Sequence, residues 1–169
     1  MKLILSTSNM NQEQLIVTMA MQAWETQIKR ADQLFNALSD EQLLQEIAPG
    51  KNRVIYLVGH LAAVNDGINS ILGLGERQYA HYDAIFLSSP DKAKEAPSVQ
   101  EVRDAWTTTI KTLTERFSKV STADWFTRHL RMTDEDFQKE PYRNKLSVLL
   151  NRTSHVAYHL GQVVLVKSR

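Results

Sequence analysis

Two histidines stand four residues apart near the C-terminal end of the chain, in the segment TSHVAYHLGQVVLV (residues 153–166). Residues at this spacing lie on one face of an α-helix, one turn apart, so the rings of His155 and His159 would point the same way. Two such imidazoles can bind one cation, as the paired histidines of the H-E-x-x-H zinc motif do. The glutamate general base of that motif is absent here, because Val, Ala and Tyr separate the two histidines. The pair therefore predicts metal ligands without a peptidase signature.

His60, in the segment YLVGHLAAVNDGI, is the third candidate ligand. It borders an apolar stripe near the middle of a second helical segment, as the other two histidines border the stripe of theirs. If the two helices pack side by side, three imidazoles meet, and three histidines with an open position are typical of a catalytic metal site. Imidazole suits Zn, Ni, Fe or Cu. The alternative is that each ring is a packed or hydrogen-bonded histidine without a metal. Gly59 is a poor helix former. Its presence indicates either that another element approaches closely here or that the helix simply tolerates the glycine.

Three further side chains are candidates for bracing the site or binding substrate. Gln162 is near the face of His159 and could hydrogen-bond a ligand histidine or a metal-bound water, or lie on the helix surface. Arg152 precedes that face and could bind a substrate carboxylate through two hydrogen bonds, although an exposed arginine is the commoner outcome. Tyr56, one turn before His60, could donate to a bound anion, or could be a core residue with a satisfied hydroxyl.

Three other polar residues are weaker candidates. Asp66 lies six residues after His60, off its helical face, so we expect an ion pair or a solvated position rather than a metal ligand. His81 and His129 fall in the long connections between helices, where surface positions are the default expectation.

Helical apolar spacing defines the elements that must position these residues. Four long helices are predicted at about 10–38, 53–72, 98–120 and 144–166. Ser98 and Glu101 form a capping-box pattern at the start of the third helix, and Gly73 marks the end of the second. No segment shows the alternation of apolar and polar residues that a β-strand would have, so no sheet is predicted. The sequence therefore indicates an all-α fold, a four-helix bundle that forms one domain over residues 1–169.

Two connections, after the second and third helices, are long for a compact bundle, so they are expected to hold local structure or serve function. The first of them also allows a crossover that would make the second and third helices parallel. Short helical elements are predicted at 39–44, 81–87 and 122–130, and 133–137 is a loop or a helix start.

Composition limits the classes of function. A chain of 169 residues with 43% hydrophobic and 23% charged residues is typical of one globular domain. A net charge of +1 provides no basic field for nucleic acid. The absence of cysteine excludes disulfides, thiolate metal sites and a cysteine nucleophile, and it fits a reducing cytoplasm. The apolar stretches are short or broken by polar residues, so we expect no signal peptide, no membrane partner and a cytoplasmic location.

Two segments carry a family resemblance: VGHLAAVNDGI and HVAYHLGQV resemble the DinB-like (damage-inducible protein) superfamily of four-helix bundles. Members carry a histidine in the GHL segment of the second helix and an H-x-x-x-H pair in the last helix, commonly followed by GQ. Here these are His60, His155 and His159. The segment LSDEQLLQEIAPGKN also resembles the family's lead into the second helix, so the resemblance spans nearly the whole chain. Two positions depart from it: Leu160, where arginine is common, and Arg53, near which an aromatic is common.

The resemblance implies that the three histidines bind a divalent metal, Zn or Ni, in a bundle with the family's helix order, and that the protein forms a homodimer. It also implies a thiol-dependent S-transferase or related small-molecule transferase, which would use a low-molecular-weight thiol such as bacillithiol, mycothiol or glutathione. A metal-dependent hydrolase and a non-catalytic metal-binding bundle are the alternatives. The residues favour the thiol reaction, because no strong general base is predicted near the triad and a deprotonated thiol is itself the nucleophile.

Overall fold

The computed structural model describes residues 11–167. Within this range the chain forms eight α-helices and a 3₁₀ turn at Ala80–Tyr82, with no β-strand. The helices are α1 (Gln12–Ala37), α2 (Asp40–Leu43), α3 (Val54–Leu72), α4 (Asp83–Phe86), α5 (Val99–Phe117), α6 (Thr122–Trp125), α7 (Asp134–Lys139) and α8 (Lys145–Lys167). The all-α prediction is confirmed.

The ends of the long helices follow local capping chemistry. Ser98 forms the predicted capping box: its hydroxyl accepts from the Glu101 N–H at 3.3 Å, and its own N–H donates to the Glu101 carboxylate at 2.8 Å. Gly73 ends α3 in the left-handed conformation, with φ of 71°. α5 ends at Phe117, earlier than predicted, because the Lys119 N–H bonds back only three residues in a tightened turn. The predicted start of the first helix, Met10, lies outside the described residues.

Four long helices form the bundle: α1 packs on α8, and α3 packs on both α5 and α8. α3 and α5 run in the same direction. Near their N-terminal ends, Ile55 and Val99 line one small cavity. At their C-terminal ends, the guanidinium of Arg116, in the last turn of α5, donates to the carbonyl of Glu76, which follows α3, at 3.1 Å. The long connection after α3 therefore crosses the bundle, as its length allows.

Aromatic side chains fill the core at both ends of the bundle. Trp24, Phe117 and Trp125 meet edge to face, with ring centroids 5.9 and 5.4 Å apart. Trp106 is also buried, and its indole N–H donates to an Asp32 carboxylate oxygen at 2.8 Å. All three tryptophans thus belong to the hydrophobic core.

A buried carboxylate anchors the first long connection to α3. Asp66 is 1% exposed and accepts hydrogen bonds from the Arg77 guanidinium at 3.1 Å and from the Gln78 and Tyr79 backbone N–H groups at 3.0 Å. Arg77 also binds Asp83 through both terminal nitrogens. Asp66 is therefore an ion-pair partner, one of the two roles expected of it, and not a metal ligand.

Arg53, where the chain departs from the family resemblance, fixes the other end of the same connection. Its backbone N–H and guanidinium both bind the Asp91 carboxylate, at 2.8 and 2.7 Å, directly before α3 begins. The connection is thus tied to α3 near both of the helix's ends.

Both long connections contain the local structure expected of them. The 81–87 segment forms part of the 3₁₀ turn and all of α4, whereas helix in the 122–130 segment ends at Trp125. The 133–137 segment is a helix start, with Thr133 capping α7. Among the described residues, no helix combines the length and apolar character that crossing a bilayer would require.

The Asp66–Arg77 pair allows a stability test. We expect Arg77→Ala to lower the free energy of unfolding by roughly 3 kcal/mol, because it leaves a buried carboxylate without its cation. The control is Lys139→Ala, which breaks an exposed pair with Glu135 and should cost less than about 1 kcal/mol. Urea unfolding of both variants measures the difference, and equal losses would contradict the role given to the buried pair.

Candidate metal centre

The three candidate histidines meet at the seam between α3 and α8. The Nε2 atom of His155 lies 3.2 Å from that of His60 and 3.0 Å from that of His159. All three nitrogens lie within 4.8 Å of one another. The structure therefore brings together the three residues that the sequence singled out, from positions about a hundred residues apart in the chain.

The outer nitrogens of two rings are held by hydrogen bonds that set their tautomers. His60 Nδ1 lies 3.0 Å from the Phe86 carbonyl oxygen, which can only accept, so Nδ1 carries the proton. His159 Nδ1 lies 2.7 Å from the Gln162 side-chain oxygen, and the Gln162 amide nitrogen in turn donates to the Tyr158 hydroxyl at 3.2 Å. Each neutral ring therefore turns an Nε2 lone pair towards the centre, the arrangement that metal-binding histidines require.

His155 completes the set but lacks such a brace. Its Nδ1 is buried and has no hydrogen-bond partner among residues 11–167, although its Nε2 faces the other two. A proton on His155 Nε2 can form only part of the hydrogen bonds that the Nε2 lone pairs of His60 and His159 require. One cation, by contrast, can accept the lone pairs of all three rings. Three neutral imidazoles are a donor set that suits Zn, Ni, Cu or Fe. The residues present thus fit a divalent transition metal.

Burial and positive charge keep the three rings neutral. Burial, then the neighbouring charges of His159, His60 and Arg152, lower the pKa of His155 to about 4. Burial is also the largest cause of the lowered pKa values of His60 and His159. Neutral imidazole is the form that binds a metal, so the site is ready for a cation at neutral pH.

Gly59 has the close contact that its place beside His60 suggested. A Cβ atom at this position would collide with the ring of Phe86, which is 1% exposed. The absence of a side chain lets α4 approach α3 closely enough for the Phe86 carbonyl to reach His60. Gly59 and Phe86 are thus positioning residues for the first ligand.

The other candidates have different surroundings. Gln162 contacts His159 in the way that a bracing residue requires. Tyr56 donates its hydroxyl proton to the Ser89 carbonyl at 2.6 Å, and its ring packs near Phe86, so it secures the α4 segment; its contact with substrate stays a prediction. Arg152 is partly buried beside the histidines.

The histidines in the connections lie outside the triad. His81 stacks edge-on against Tyr82 with ring centroids 4.9 Å apart, and His129 lines a separate pocket near Arg152.

Sequence reasoning missed the Phe86 carbonyl altogether, since a backbone acceptor leaves no signature of its own; Gly59 was the one available signal. It also missed Tyr158, the partner of Gln162.

The comparisons with known proteins agree with this geometry. The family model of the DinB superfamily matches residues 23–163, most of the chain. The chain belongs to the DinB superfamily. A solved structure, that of a conserved protein from Enterococcus faecalis, is similar to this DinB chain with a TM-score of 0.63 and 15% identity. The match covers 90% of this chain and 97% of the other, and it supports the fold alone. No curated protein matches the chain.

The remaining departure from the DinB pattern leaves the centre intact. Leu160, where arginine is common, is 9% exposed and packs in the hydrophobic core. It follows His159 directly, so its side chain points away from the ligand face, and it lines a groove with Gln27 and Leu34 of α1.

The contact beneath His60 predicts unequal effects for two glycines of α3 in this DinB protein. Gly59→Ala should displace Phe86, lower the free energy of unfolding by about 1–3 kcal/mol and weaken metal binding. Gly67→Ala is the matched control, because its new Cβ meets nothing within 4 Å. Thermal unfolding and metal titration of both variants provide the measurement. Metal affinity unchanged in Gly59→Ala would remove the positioning role.

The lowered pKa values predict how the metal-free DinB protein responds to acid. The unfolded chain binds protons on these histidines at higher pH than the folded chain does, so stability is lost as pH falls from about 6.5 towards 4. His155→Ala should flatten this dependence. Urea unfolding in a chelator, at pH values from about 7.5 to 5, measures it. Equal slopes for both proteins would show that the triad does not cause the effect.

Proposed function

We propose that this DinB protein is a divalent-metal-dependent S-transferase that joins the sulfur of a low-molecular-weight thiol to an electrophilic small molecule. The observation that carries the proposal is the convergence of the three neutral Nε2 donors of His60, His155 and His159. Among residues 11–167, no carboxylate joins the cluster. A site with three protein ligands keeps a coordination position for substrate, as catalytic metal sites do.

His60, His155 and His159 would hold the ion, with Zn and Ni the metals that the resemblance implies. The bound ion would act as a Lewis acid that lowers the pKa of a thiol in reach of its open position. Phe86 and Gln162 keep two of the rings in the required orientation and tautomer through their hydrogen bonds to Nδ1.

The charges around the centre favour an anionic sulfur. The pKa values of His60 and His155 are lowered in part by the positive charge of Arg152, and no Asp or Glu of the described chain contributes to either shift. A positive potential of this kind stabilises a thiolate relative to a thiol. Arg152 therefore supports thiolate formation near the histidines.

The same surroundings favour attack by a thiolate over hydrolysis. Water at such a site usually needs a carboxylate or histidine general base, and the histidines of the triad are engaged as ligands. A thiol needs only to lose its proton to solvent. Its sulfur then forms a bond to an electrophilic carbon, and the leaving group departs with the electron pair of the bond that breaks.

Two other features of the proposal are predictions carried over from the sequence. The homodimer would suit the exposed apolar residues Leu15, Ile16 and Met19 of α1 and Leu165 of α8. The cytoplasmic location would suit the absence of cysteine and the use of a reduced thiol.

Metal binding provides the first test. We expect the purified protein, stripped with a chelator and titrated with Zn or Ni, to bind about one ion per chain. His155→Ala should abolish this binding, and Gln162→Leu should weaken it by about tenfold, because it removes the acceptor that orients His159. His81→Ala is the control and should bind as the wild type does.

The loaded protein is then supplied with thiols and electrophiles, and formation of the S-conjugate is measured by mass spectrometry. Conjugation that requires both the metal and His155 is the expected result. A chain that binds no metal would overturn the proposal, whereas metal binding with uniform inactivity would favour a non-catalytic bundle.

A further inference from the structure

A second pocket, of about 370 Å³, opens beside the metal centre, between the C-terminal end of α3, the 129–143 connection and the first turns of α8. Its size falls within the range of small-molecule sites. Its polar lining is mostly basic and consists of His129, Arg131, Arg143, Ser147, Asn151 and Arg152. None of the described residues that line it is acidic.

Arg152 is the most buried of these arginines. Its Nε is buried and meets no acceptor, and the side chain forms no ion pair or hydrogen bond with residues 11–167. Burial lowers the pKa of the Arg152 guanidinium, and the positive charge of Arg131 lowers it further. A half-buried arginine facing another arginine is unfavourable unless an anion joins them.

The 129–143 connection adds donors to the same pocket. His129 Nδ1 accepts from the Arg131 backbone N–H at 3.2 Å, so a neutral His129 carries its proton on Nε2 and is a donor there. The Arg131 side chain is exposed and forms no ion pair within the described chain. Arg143 is half exposed and binds Glu140 at 2.7 Å through one of its terminal nitrogens, Nη1.

Two nearby acids do not neutralise Arg131 or Arg152, because other arginines already bind those acids. Asp83, whose pKa Arg131 helps to lower, is held mainly by Arg77. Asp134 pairs with Arg128 at 2.6 Å. The pocket thus retains a positive charge that the described residues leave without a counterion.

We propose that this pocket binds the carboxylate or phosphate group of a small anionic substrate. Arg152 joins it to the metal centre, since Arg152, His155 and His159 follow one another at three and four residues along one face of α8. An anion held by Arg152 and Arg131 would therefore lie next to the histidines. Binding itself needs no metal, but the part that it plays in orienting a reacting molecule rests on the proposed function.

Calorimetric titration of the metal-free protein at constant ionic strength tests the pocket. The probes are succinate, inorganic phosphate and, as an uncharged control, succinamide. We expect the wild type to bind at least one of the two anions and not succinamide. The anion that binds with the higher affinity shows whether the pocket is a carboxylate or a phosphate site. Arg152→Gln and Arg131→Gln should each weaken binding by about tenfold or more. Arg30→Gln removes an exposed arginine of α1 that does not line the pocket, and should bind as the wild type does.

Three results would overturn the proposal: no binding of either anion to the wild type, wild-type affinity in Arg152→Gln, or an equal loss in Arg30→Gln. If Arg152→Gln does not fold, as judged by circular dichroism, the exposed Arg131→Gln decides the question. Because the titration uses the metal-free protein, its outcome does not depend on metal binding or on S-conjugate formation. The two proposals can therefore fail independently.

Discussion

The arrangement of the bundle depends on three imidazole nitrogens that converge within 4.8 Å of one another. Lone pairs so placed repel one another unless a cation or shared protons lie between them. Burial keeps the rings neutral, and the hydrogen bonds of Phe86 and Gln162 hold two of them in the one tautomer that turns Nε2 inward. The seam of α3 and α8 is therefore arranged in a way that fits a bound cation.

The long connections build this centre and its surroundings as much as the helices do. The first one crosses the bundle so that α3 and α5 run parallel, and ion pairs of Asp66 and Arg53 hold it against α3. Between those two anchors it delivers the Phe86 carbonyl to His60. The second connection brings Arg131 to the pocket that Arg152 shares. The candidate metal centre and the basic pocket thus lie side by side, as the proposed enzyme for an anionic or thiol-bearing substrate would require.

Much of the fold followed from local patterns. Apolar spacing predicted four long helices with ends within a few residues of those observed, and the Ser98 capping box was confirmed. The three histidines were identifiable because each borders an apolar stripe. Prediction was weaker in the connections: helix in the 122–130 segment ends at Trp125, where the backbone N–H groups of Phe126 and Thr127 bond back only three residues and the chain turns.

The sequence by itself thus determined the helices, the face on which each histidine lies and the glycine that marks a close approach. These depend on periodicity and on residue size, which act over a few neighbours. Only the tertiary structure decided that His60 reaches the pair on α8, that a backbone carbonyl orients it, and that Arg152 and Arg131 line one pocket without a counterion among residues 11–167. Such features depend on groups far apart in the chain, and on backbone atoms that every residue shares, so no local pattern encodes them.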